Sequence, residues 1–134
     1  MSLLVQLVLS AVAILLAWTV VDLLLHRLFL RPLYEQNPAL WRSFDHLNVP
    51  LIYATTFTLI GVFIGVYALL IQPKSLGAGL TFGAFLGLAL GVGSAGGTYI
   101  HMPIPRTLAW GWLIGGWLKG IVAGAILGML ITGA

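Results

Sequence analysis

The sequence predicts an all-α integral membrane protein, a four-helix transmembrane bundle with a short amphipathic interfacial helix between spans one and two. Three observations predict it. Four apolar runs approach or exceed the roughly 20 residues a helix needs to cross the hydrocarbon core. Charged residues are only 7% of the 134-residue chain and hydrophobic residues 60%, whereas soluble domains carry about 25% charged residues. Glycine recurs every fourth residue in the later runs. The runs show no period-two alternation of the kind that marks a β-barrel.

The whole chain reads as one membrane domain. The spans are Leu3–Phe29, Val49–Ile71, Leu76–Tyr99 and Leu108–Ile131. The first lacks the basic start of a signal peptide and is too long for its apolar core, so it is expected to be retained. Pro50 opens the second span, where its missing N–H costs little. Gln72-Pro73-Lys74-Ser75 forms a tight turn, and Pro103 and Pro105 separate the last two spans. Between the first two, Asn37-Pro38 resembles a helix start. Leu40, Trp41, Phe44 and Leu47 then share one face, with Arg42, Asp45 and His46 turned away. The expectation is an interfacial helix over 38–47.

Lys/Arg asymmetry sets orientation. Arg27, Arg31, Arg42 and Arg106 fall on the side of the first and third loops, and Lys74 on the other. Both termini are therefore expected on the periplasmic side of a bacterial inner membrane. The net charge of +3 rests on six basic residues without a basic stripe, so nucleic acid is not an expected partner. Cysteine is absent, which removes disulfides and thiolate metal sites.

Gly79, Gly83, Gly87 and Gly91 in the third span, and Gly116, Gly120, Gly124 and Gly128 in the fourth, each lie along one helix face. Such glycine-zipper faces let backbones approach where lipid supplies no hydrophobic drive. Gly61 and Gly65 give the second span a shorter version. The third and fourth spans are expected to pack together, leaving a face free for another chain.

Asp22 and Lys119 are the charges inside spans, and charges at depth usually face the bundle interior. Lys119 lies roughly 16 Å along its helix from Leu108, within reach of an ion pair or relay with Asp22. Asp22 and His26 are one turn apart. His26, His46 and His101, with Glu35 and Asp45, are expected on the cytoplasmic side as a polar cluster. That cluster is the only candidate ligand set for a metal or haem, or for facing a quinone headgroup. No zinc motif, nucleophile elbow or phosphate loop is present. Neither a cofactor nor enzymatic activity is expected.

Asp22-Leu23-Leu24-Leu25-His26, followed by Leu33-Tyr34-Glu35 and Leu40-Trp41-Arg42, resembles a group of small bacterial four-span inner-membrane proteins. The likeness covers the first third of the chain and departs at Arg27, where glycine is expected. It implies a bacterial inner-membrane setting and no chemistry.

Three functional readings follow. The first is a non-catalytic accessory or assembly subunit of a larger membrane complex, with lipid and other membrane subunits as partners. The second is a homo-oligomeric small-solute or ion transporter, with Asp22, Lys119, Tyr53 and Thr56 lining the path. The third, a minor one, is a haem- or quinone-binding anchor.

Overall fold

The computed structural model describes residues 1–133 and is helical throughout its ordered elements. Helix α1 covers Leu3–Asp22 and continues as a π-helical segment, Leu23–Phe29. A short α2 follows at Arg31–Glu35. Helices α3, Val49–Leu70, α4, Leu76–His101, and α5, Arg106–Leu130, complete the chain. Four of these segments are long and apolar enough to cross a membrane, in keeping with a multi-pass membrane protein. Much of their outward surface is apolar: Leu69 is 80% exposed and Phe85 73%.

Local chemistry explains where the helices start. Ser2, Asn48 and Ser75 accept from Val5 N, Leu51 N and Ala78 N at 3.2, 3.1 and 3.0 Å, filling donors that a first turn leaves open. Helix α4 runs two residues past the expected Tyr99, and α5 begins two before Leu108.

The interfacial helix expected over 38–47 does not form. Two single 3₁₀ turns, Pro38–Leu40 and Phe44–His46, flank an extended Trp41 with φ −127° and ψ 145°. Trp41 instead packs edge-on against Tyr34 and Trp112, with centroids 5.2 and 5.6 Å away. Aromatic pairs of this kind each add about 0.5–1.5 kcal/mol beyond burial. An isolated helix of about ten residues is marginal, so the aromatic contacts decide the backbone.

Helices α4 and α5 meet glycine to glycine. A Cβ on Gly79 would lie 2.8 Å from Gly128 Cα, and one on Gly87 would lie 2.8 Å from Gly120 Cα. Farther along the same contact, a Cβ on Gly116 would lie 3.3 Å from Gly91 Cα. A second row on α5, Gly111 and Gly115, receives the side chains of Leu30 and Leu25. That row draws the end of α1 onto α5. Gly61 and Gly65 on α3 have nothing within 4 Å of an added Cβ.

Helix α3 joins the bundle chiefly through Ile60, Phe63 and Tyr67, which pack with Ile14 and Trp18 of α1 and Leu127 of α5. A second cluster, Leu30, Ile104 and Leu108, ties the end of α1 to the start of α5. With α3 held near its middle and end, a cleft opens between its first turns and α1.

Candidate functional site: a charged cleft between α1 and α3

Asp22 closes the regular part of α1, and Lys119 sits midway along α5. Lys119 Nζ donates to Asp22 Oδ1 at 3.1 Å and Oδ2 at 3.0 Å. Trp18, one turn before Asp22, donates from Nε1 to the Lys119 carbonyl at 2.8 Å. Its ring centroid lies 4.9 Å from the ammonium, a distance suited to cation–π attraction. Trp18 thus fixes both the backbone and the head of Lys119. Charge in lipid is expensive, and pairing offsets that cost. The pair is not sealed, because the two side chains keep 40% and 23% of their surface.

The opening is a cleft of about 610 Å³. Trp18, Thr19, Asp22 and His26 form its α1 wall, and Ile52, Tyr53 and Thr56 its α3 wall. Lys119 reaches it from α5, and the 41–47 stretch borders it with Arg42 and Phe44. Thr19 and Thr56 donate to Leu15 O and Ile52 O at 2.7 and 2.8 Å. Their hydroxyl lone pairs are therefore left for a guest. Arg27 also lines the cleft and stacks over Phe44 at 4.6 Å.

A hydrogen-bonded chain from Trp112 through Tyr34 ends at His26, next to this pair. Trp112 Nε1 donates to Tyr34 Oη at 2.7 Å, and Tyr34 Oη lies 2.7 Å from His26 Nδ1. The phenol accepts from Trp112 and has one proton, which it donates to Nδ1 when His26 carries its own proton on Nε2. In that tautomer the Nε2 proton lies on the side of Asp22, whose Oδ1 is 3.8 Å from Nε2. Burial pushes the Tyr34 phenol above its ordinary range, the Trp112 hydrogen bond pulls it back in part, and the Asp22 charge adds to the rise. Tyr34 remains a neutral donor at physiological pH. Tyr34→Phe is expected to strip both bonds and cost about 1–3 kcal/mol. Tyr34→Phe unfolding in detergent at the same denaturant midpoint as the parent would show that the chain carries no stability.

The expected polar cluster does not assemble. His26 lines the cleft, but His46 Nδ1 lies 2.6 Å from Ser43 Oγ within its own turn. His101 Nδ1 lies 2.9 Å from Gly97 O of its own helix, Glu35 pairs with Arg31 at 2.8 Å, and Asp45 is exposed in a 3₁₀ turn. Among the described residues no three His, Asp or Glu groups are placed to hold a metal ion. His46, His101 and Glu35 each find a partner within four residues, so nothing draws the group together. Tyr34, Trp41 and Trp112 are site residues that charge-based reasoning missed. Their signal is the density of aromatics near the interface.

Compared with protein-family models, curated proteins and solved structures, the chain shows no match.

Proposed function

We propose that the chain is a small-solute or ion transporter of a bacterial inner membrane, with the α1–α3 cleft as its cytoplasmic-side vestibule. One observation carries the proposal: Asp22, Lys119, Tyr53 and Thr56 line a single cleft. A structural clamp between α1 and α5 has no need of a cavity at its side, whereas a solute site needs one. The orientation rests on Arg27, Arg31, Arg42 and Arg106, whose excess on one side supports termini on the other by the positive-inside rule. Purified protein in liposomes is expected to release entrapped salt faster than empty liposomes do. Equal release of salt and of neutral solutes from both would contradict transport.

A second reading, a non-catalytic accessory subunit, is favoured by the glycine pair of α3. A Cβ added at Gly61 or Gly65 would meet nothing within 4 Å among the described residues, and small residues allow close helix approach in lipid. The mass of the gently solubilised assembly separates the two readings. A homo-oligomer supports transport, and a stable hetero-complex supports the subunit.

A further inference from the structure

Resting on the transport reading, we infer that the solute is a small inorganic anion and that its path follows the α1–α3 seam to a second cleft at the opposite end. The charges in the first cleft point to an anion. Arg27, Arg42 and Lys119 line it, against one carboxylate, Asp22. Among the described residues neither arginine has a carboxylate within ion-pair distance. A low-dielectric cleft lined by one sign of charge concentrates the opposite ion.

The second cleft, about 590 Å³, lies between the same two helices at their other ends. Its lining includes Gln6, Thr132 and Lys74 and no carboxylate among the described residues. Lys74 Nζ donates to Ile71 O at 3.2 Å and meets no acid among the described residues.

Between the clefts lies an apolar septum. The first cleft reaches Leu15 and Thr56, and the second reaches Leu7 and Gly61. By helix rise these limits are about 8 Å apart on α3 and about 12 Å on α1. Ile14 and Ile60, neither more than 2% exposed, occupy the gap with the buried Ser10, and the buried Trp18 and Phe63 border it from the two sides. The Trp18 and Phe63 rings meet edge-on at 5.4 Å. A dry constriction of this kind gates by excluding water. Rotation of a few side chains opens only a narrow passage, which limits the solute to a small ion. Asp22 is then the resident counter-ion that an entering anion displaces from Lys119.

The test is chloride efflux from proteoliposomes loaded with potassium chloride, read by a chloride electrode, with valinomycin supplying the potassium shunt. Potassium release without the shunt is measured in parallel. Chloride is expected to leave and potassium to stay. Phe63→Ala should raise efflux by removing half of the septum contact. Arg42→Gln should slow efflux, and Asp22→Asn should lower the chloride concentration giving half-maximal rate. The doubly neutral Asp22→Asn/Lys119→Met variant, which leaves neither member of the ion pair charged, should lose chloride efflux by about tenfold or more. Potassium-selective release overturns the anion assignment and leaves transport standing. Unchanged chloride efflux in the double variant overturns the role of Lys119. No flux of chloride, potassium or a neutral solute, even with Phe63→Ala, overturns transport and the anion path together.

Discussion

Lys119→Met alone is expected to destabilise the bundle by about 2–3 kcal/mol, between the roughly 1 kcal/mol of an exposed pair and the 3–5 kcal/mol of a buried pair that loses one partner. Asp22 would lose its Lys119 partner at membrane depth, and His26, 3.8 Å away, is a poor substitute. Access through the cleft keeps the loss below the fully buried value. Asp22→Asn/Lys119→Met removes both charges and should recover most of the stability. Unfolding midpoints in detergent for the parent, both single variants and the double variant form the required cycle. If the single losses simply add in the double variant, the two residues do not act as a pair.

Gly83→Leu is expected to have an effect of at least the same size. A Cβ there would lie 2.9 Å from Gly124 Cα and 3.0 Å from Gly120 C. Both are backbone atoms, so no rotamer change makes room. Overpacking a core costs about 1–3 kcal/mol even where side chains can shift. Here α4 and α5 must separate along their shared glycine face, and the loss should exceed about 3 kcal/mol on the same scale. Phe85→Leu, on the exposed side of α4, should change stability by less than about 0.5 kcal/mol. A Gly83→Leu variant that unfolds at the parent's denaturant midpoint would show that the close approach is dispensable.

The four apolar helices were legible because length and composition alone identify segments that can cross lipid. The polar caps Ser2, Asn48 and Ser75 help mark where three of them begin. Glycine spacing revealed a face on each of the last two helices, but a face does not name its partner. Gly111 and Gly115 stood at the same spacing as Gly116 and Gly120, yet only the structure assigns them to Leu30 and Leu25. The π-helical segment at Leu23–Phe29 carries no local signal. Its widened register, with Leu30 N donating to Leu25 O at 2.8 Å, is a tertiary effect of seating α1 on that glycine row. Periodicity misplaced the interfacial helix because it weighs Trp41 as one apolar position, whereas the fold uses it as the centre of an aromatic cluster. The histidines misled for a related reason. Nearness to one membrane face is not nearness to one another, and His46 and His101 are satisfied locally.

The cleft is the structural claim on which the functional proposals rest, and the absence of native cysteine makes it directly testable. Single substitutions Thr56→Cys and Phe85→Cys can be exposed in inside-out membrane vesicles to a charged, membrane-impermeant thiol reagent. Thr56 lines the cleft beside Lys119, and Phe85 lies on the outward, apolar side of α4. Thr56→Cys is expected to react at a rate well above that of Phe85→Cys, and to be slowed by chloride. Equal, negligible labelling at both positions would mean that water does not enter between α1 and α3, and would contradict the vestibule.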